Sequence, residues 1–252
     1  MRQNKTFSIL DIVDSTNNYA MQQIHAGLAI SGDAWCANEQ WGGKGQRSKT
    51  WVSQKGQNVL LSIALLPNKG IVTHPFLLSM LVANTVVTVL QSMGIVQLSI
   101  KWPNDIYIGD RKAGGILIEN VYKGNHWQWA IIGIGLNINQ TAFETLAHKA
   151  TSLRLVTGLT YDVYNIAKLL SQQIDEQHAL YTTLLQETEV QRYNQQLFKK
   201  GETVQLKKQN ALFNTVIKAV NEYGQLLTTD VIDRTFAVGE VEWQHNVAES
   251  LI

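Results

Sequence analysis

The chain has 252 residues, enough for one large domain or one large and one small. Hydrophobic residues make up 45% and charged residues 16%, with a formal net charge of +1, so the basic excess of a nucleic-acid binder is missing. The single cysteine, Cys36, excludes an internal disulfide and fits a reducing cytoplasm; the first residues lack a secretory pattern, and the longest apolar runs are too short to span a bilayer.

In chain order, Asp14-Ser15-Thr16-Asn17 opens a helical pattern that runs to about Ala26 and stops at Gly27. The hydroxyl of Ser15 or Thr16 is expected to cap an orphan backbone N–H there. Ala34–Gln40 reads as a strand, Trp41–Thr50 as a glycine-rich polar loop, and Val59–Leu66 as a buried strand ending at Pro67. His74–Met93 is apolar all round and stops at Gly94, the pattern of a buried helix. Strands follow over Leu98–Trp102, Ile106–Ile108, Gly115–Tyr122 and His126–Gly133. Tyr161–Leu185 reads as one long amphipathic helix with Asp162 near its start. From Gly201 to Trp243 the pattern changes to four or five short strands, expected to close into a small barrel. The fold class is therefore α+β. A mixed central sheet with helices fills 1–198, and a small β-barrel domain fills 199–252. Six scattered histidines (His25, His74, His126, His148, His178 and His245) show no metal-ligand spacing, so no structural zinc is expected.

Three clusters carry chemical potential. The first is Gln40-Trp41-Gly42-Gly43-Lys44-Gly45-Gln46-Arg47-Ser48-Lys49-Thr50-Trp51. Its glycines let backbone approach a ligand while Lys44, Arg47 and Lys49 surround it, which suits an anion. It is not a P-loop, because Ser48 replaces the second glycine and a strand, not a helix, follows. A solvated basic hairpin tip would look the same. The second is Lys101-Trp102-Pro103-Asn104-Asp105, followed by Arg111-Lys112-Ala113-Gly114-Gly115-Ile116-Leu117. The turn between them should return Lys112 to Asp105, either as a site or as an exposed ion pair of little energetic weight. The third is Gly133-Ile134-Gly135-Leu136-Asn137, where strand glycines mark close approach of a ligand or another strand.

Taken in order, Asp14-Ser15-Thr16-Asn17, Gly43-Lys44-Gly45-Gln46-Arg47 with Trp51, Lys101-Trp102-Pro103-Asn104-Asp105, Lys112-Ala113-Gly114-Gly115-Ile116-Leu117 and Gly133-Ile134-Gly135-Leu136-Asn137 resemble the biotin–protein ligase family. The resemblance covers about residues 7–243, and Lys-Trp-Pro-Asn-Asp is its most specific marker. It implies a catalytic sheet like that of class II aminoacyl-tRNA synthetases, with an SH3-like barrel at the C-terminus. It implies formation of biotinyl-5′-AMP from biotin and MgATP, then transfer of biotin to a lysine of a biotin carboxyl carrier domain.

The catalytic set implied by the resemblance is Lys112, Asp105, Lys44 and Arg47. Ser15, Thr16, Asn17, Gln40, Gly43, Lys112 and Gly115 would hold biotin. Lys44, Gly45, Gln46, Arg47, Trp51, Asn104 and Asn137 would hold ATP or the adenylate. Asp105 would meet Mg²⁺ or the incoming amine. About 13 residues precede Asp14, leaving no room for the DNA-binding domain that some relatives carry, so no specific DNA binding and no membrane association are expected. Monomeric and homodimeric states both occur in the family. Many relatives carry Gly-Arg-Gly-Arg-Arg-Gly where this chain has Gly43-Lys44-Gly45-Gln46-Arg47-Ser48. That departure leads us to expect weaker retention of the intermediate. Two rival readings share the fold: a lipoate or octanoate ligase or transferase, some of which use a cysteine, and a non-enzymatic biotin sensor. Cys36, inside an apolar strand, is expected to be a buried, inert thiol.

Overall fold

The computed structural model describes residues 5–68, 70–71, 74–143 and 149–244; His148 and His245 lie outside them. Seven strands form a mixed sheet in the order β1 (Phe7–Val13), β2 (Ala34–Gln40), β3 (Asn58–Leu65), β7 (His126–Asn137), β6 (Arg111–Lys123), β5 (Asp105–Ile108) and β4 (Leu98–Lys101). β1 and β2 run parallel, and the other neighbours pair antiparallel. β3 is buried at every position. That explains why it is apolar except at Asn58 and Ser62, since a central strand covered on both faces has little polar surface to show.

One face carries α1 (Thr16–His25), whose Ala20 packs with Trp35, Ala64 and Ile131. The other carries α2 (Phe76–Ser92) and α4 (Val163–Leu180), with α3 (Leu153–Thr157) and α5 (Gln186–Gln195) beside them. α2 buries Leu77, Leu78, Met80, Leu81, Val82, Val86, Val87 and Leu90, as its all-round apolarity predicts. No helix among the described residues is long and apolar enough to cross a membrane.

A second, antiparallel sheet has the order β11 (Asp233–Phe236), β10 (Leu226–Thr229), β9 (Ala211–Val220), β8 (Thr203–Lys208) and β12 (Glu242–Trp243). It does not stand apart from the first. Leu206, Ile217, Val220, Leu226 and Phe236 belong to the same hydrophobic cluster as α2 and the large sheet. Trp102 Nε1 donates to the carbonyl of Gly224 at 2.9 Å across the seam. Asn194 fixes Val220 from both sides, its amide donating at 2.8 Å and its carbonyl accepting at 2.7 Å.

Three local expectations change. The segment expected as one helix over Tyr161–Leu185 breaks at Tyr181, which is extended and buries its ring. Asn68 Nδ2 takes up the carbonyls of His178 and Tyr181 there, at 2.7 and 3.4 Å, so the freed backbone groups have a partner outside the helix. Asp162 does cap α4, accepting from the N–H groups of Tyr164 and Asn165 at 3.0 Å each. The cap of α1 differs from expectation. Ser15 is the N-cap residue, yet its hydroxyl makes no capping bond. Gln40 Oε1 on β2 instead accepts from the Thr16 N–H at 2.7 Å. Finally, Trp102, grouped with the site by sequence, is 3% exposed and seals the seam between the sheets.

Candidate active site

The site begins as a strip of missing side chains. Gly115 on β6 pairs with Gly135 on β7, and Gly133 on β7 pairs with Ser62 on β3. Residues paired across strands present their side chains to one face. Three of these four positions therefore leave bare backbone on the face that carries α1, just beyond that helix's N-terminus. The glycines answer close approach, not backbone conformation. A Cβ on Gly133 would overlap Asn17 Oδ1 and lie 3.0 Å from Asn17 Cγ, and one on Gly135 would lie 2.5 Å from Trp51 Cε2.

Lys112 reaches this strip because of a bulge. Asp105 pairs with Gly115 and Ile106 with Gly114, but Tyr107 pairs with Lys112, so Ala113 is an extra residue on β6. Without it, Lys112, three residues from Gly115, would point to the opposite face. With it, Lys112 Nζ lies 2.6 Å from Asp105 Oδ1, and a Cβ on Gly115 would touch both. The expected meeting of Lys112 and Asp105 is thus observed, with Lys112 Nζ 5.7 Å from the centre of the Trp51 ring. Both side chains keep partial solvent access, at 34% and 26%.

A polar network lines the other end of the strip. Asn17 Nδ2 donates to Glu119 Oε2 at 2.7 Å, and Ser62 Oγ donates to Asn17 Oδ1 at 2.6 Å. Thr16 Oγ1 lies 2.7 Å from Ser62 Oγ and 3.1 Å from Gln40 Oε1. Three contacts share the protons of two hydroxyls, so with Ser62 donating to Asn17, the Thr16 proton can serve Ser62 or Gln40 but not both. Ser15, Thr16 and Asn17 are all buried, and Gln40 is half-buried. Ser62 and Glu119 were missed from sequence. The available signal was a lone serine inside the apolar run of β3, and a glutamate two residues past Leu117 on the strand that carries Gly115.

The loop Trp41–Trp51 is built tightly. Gly45 N–H donates to Lys49 O at 2.6 Å and Trp51 N–H to Gly43 O at 2.9 Å. A Cβ on Gly43 would lie 2.5 Å from Trp51 O, and Arg47 takes a left-handed φ of 54°. Two cations of this loop, Lys44 and Arg47, pair with carboxylates other than Asp105. Lys44 Nζ sits 3.4 Å from Glu119, and Arg47 Nη1 sits 3.9 Å from Glu242 on β12. Both are exposed pairs, worth little, so the loop can be released at small cost. Gln46 lines a cavity of about 120 Å³ with Pro103, Asn104, Ile116 and Val238.

Two predicted nucleotide contacts have structural partners. Asn104 Nδ2 donates to Ile116 O at 2.6 Å, and Asn137 Nδ2 to Thr151 O at 3.0 Å. Cys36 is fully buried, and burial pushes its thiol up to about 11, so it is no nucleophile at neutral pH.

The profile of the Biotin/lipoate A/B protein ligase family matches residues 9–137, a stretch that holds every site residue read from the sequence. The chain belongs to that family. It is 32% identical over 168 residues to the biotin–[acetyl-CoA-carboxylase] ligase of Paracoccus denitrificans, covering 63% of this chain and 67% of that one. It is 31% identical over 168 residues to the bifunctional ligase/repressor BirA of Escherichia coli, covering 66% of this chain and 51% of that protein. The chain spans about half the length of the bifunctional relatives it matches. A solved structure of a point mutant of the Aquifex aeolicus biotin protein ligase, in complex with biotin, superposes with a TM-score of 0.79 at 25% identity, over 96% of this chain and 99% of that one.

Proposed function

We propose that this chain activates biotin with ATP as biotinyl-5′-AMP and passes biotin to a lysine of a carboxylase carrier domain. The observation that carries the reading is the Lys112–Asp105 pair in front of Gly115 and beside Trp51. In the first step a biotin carboxylate oxygen attacks the α-phosphorus of ATP and pyrophosphate leaves. Two anions must meet, so a fixed cation at the meeting point lowers the barrier. Lys112 is that cation, and Lys44 and Arg47 join it when the loop leaves Glu119 and Glu242. In the second step a neutral lysine amine attacks the biotinyl carbonyl and AMP leaves. Asp105 orients the amine and can take its proton.

Ser15, Thr16, Asn17, Gln40 and Gly43 are assigned to the polar head of biotin, because the Thr16 hydroxyl can exchange partners there. Lys112 and Gly115 are assigned to the biotin tail, and Gly45, Gln46, Trp51, Asn104 and Asn137 to the nucleotide side. A magnesium ion bound with ATP would supply charge neutralisation of the phosphates, and a protein site for it would need one or two carboxylates. Asp105 offers one partly exposed carboxylate, which fits such an ion, and no group of three or more His, Cys, Asp or Glu that could hold a metal occurs among the described residues. The same reading takes 1–198 as the catalytic unit and 199–252 as a small β-domain. It places the protein in the cytoplasm, with a carrier protein as partner.

Biotin is preferred to lipoate because the named relatives are biotin ligases, and the shielding of Cys36 speaks against a cysteine-dependent transferase. Biotin-dependent ATP–pyrophosphate exchange, run beside lipoate and octanoate, tests the proposal. Exchange with biotin alone is expected, with a loss on the order of 10²–10³-fold in Lys112→Ala. Exchange with lipoate instead would move the activity to another acid of the same family, and no exchange with any acid would refute the reading.

A further inference from the structure

Lys101, the last residue of β4, is 7% exposed, and its ammonium donates to Tyr107 Oη at 3.2 Å. Three rings surround it, with Nζ 5.0 Å from the centre of Tyr107, 5.1 Å from Trp243 and 5.7 Å from Phe198. Aromatic faces attract a cation, but they do not replace the water that burial removes. A methionine would fill this space with no charge to desolvate. Packing therefore does not account for a lysine here, and its electrostatic neighbours do.

Lys101 and Asp105 are Cα partners across the β4–β5 hairpin. Burial pulls the Lys101 ammonium down to about 8, and Asp105 is the foremost charge opposing that pull. The cations acting on it are Lys112 on β6 and, more weakly, Lys149 and Lys49. Asp105 thus acts on two ammonium groups, in contact with one and as the cross-strand partner of the other. It contacts Lys112, which is partly exposed and faces the open strip, while Lys101 lies buried behind it.

We propose that Lys101 is a positioning residue, a fixed counter-charge that takes up Asp105 when Lys112 turns from it toward an anionic substrate group. The idea rests on the roles given above to Lys112 and Asp105. A carboxylate abandoned by Lys112 would swing toward solvent or follow the departing lysine; a second cation on the adjoining strand keeps it in register for the incoming amine. The cage is closed by Trp243, whose neighbour Glu242 faces Arg47 of the loop. The two-residue strand β12 therefore borders both the closing loop and the rear of the reaction centre, which gives the second sheet a part in positioning.

Two measurements decide the matter. The first is a crystal structure of Lys112→Met without substrates, which imitates the departure of Lys112. An Asp105 oxygen within about 4 Å of Lys101 Nζ is expected, and Asp105 turned to solvent would overturn the proposal. This result does not depend on which acid the enzyme uses, so it stands even if no exchange is seen with biotin, lipoate or octanoate. The second is steady-state transfer of biotin to a carrier-domain lysine by Lys101→Met, because ATP–pyrophosphate exchange does not use the amine. A fall in kcat of about 10–100-fold is expected, the scale for residues that support a reacting group from behind, with the biotin KM within threefold of the unaltered protein and the melting temperature retained. An unchanged kcat, or a loss that appears only together with a lowered melting temperature, would overturn it.

Discussion

Replacing Gly133 by alanine sets a methyl group against the most constrained side chain of the site. Asn17 is 3% exposed, and both ends of its amide are committed, to Glu119 at 2.7 Å and to Ser62 at 2.6 Å. The added Cβ would overlap Oδ1, so the amide cannot retreat without giving up a partner. Overpacking a filled site costs about 1–3 kcal/mol, and a lost hydrogen bond about 1 kcal/mol when neutral or 1.5–3 kcal/mol when charged, so a total near 3 kcal/mol is expected. In a chain of this length that lowers Tm by roughly 6–12 °C. Thermal unfolding followed by circular dichroism measures it. The mechanism is tested by the double variant with Asn17→Ala, which removes the obstructing amide. A coupling of about 1 kcal/mol or more, in the direction of relief, is expected for residues in contact. Additive effects, or a Tm loss below about 2 °C for Gly133→Ala, would refute the reasoning.

Gln46→Arg restores a charge to the loop and is expected to slow escape of the adenylate, read by trapping free intermediate; an equal escape rate would count against the expectation. Cys36→Ala is expected to keep exchange activity, and the native thiol to resist alkylation at pH 8, because burial holds it at about 11; rapid modification of folded protein would contradict this. Burial lowers the His178 imidazole below its ordinary 6.5, with Asp175 opposing. The unfolded chain then binds a proton that the folded one refuses, so this stability is whole above pH 6.5 and is eroded as pH falls through the folded value. Urea midpoints should decline on the acid side, and His178→Leu should flatten that decline; an unchanged slope in the variant would exclude His178 as the cause.

Elements with a single strong local signal were legible in sequence. β2 matches its expected bounds, and α2 and β3 differ by one or two residues at the ends. α5 was missed because Gln186–Gln195 is polar except for Val190 and Tyr193 and one of its two buried residues is Glu189, so no apolar stripe marks it. β1 was missed because Ile9 and Ile12 are more than half exposed on an edge strand, and its alternation is broken by Asp11. The Lys112–Asp105 meeting was foreseen from the turn at Gly109–Arg111. Asn104 and Asn137, read as nucleotide contacts, have amides engaged by backbone carbonyls, a commitment that sequence order does not reveal.

Local pattern was enough to place most of the elements, the glycines of the strip and a lysine and an aspartate on adjoining strands. Those follow from periodicity, turn chemistry and spacing, all local quantities. Which face each residue occupies emerges only in the folded chain. One extra residue, Ala113, turns Lys112 onto the glycine face. The cap of α1 comes from Gln40 on another strand, and Lys101 lies in a cage whose third wall, Trp243, is 142 positions further along the chain. In a sheet, side-chain direction alternates with every residue, so a single insertion or a distant partner reverses or completes a site without altering the local pattern.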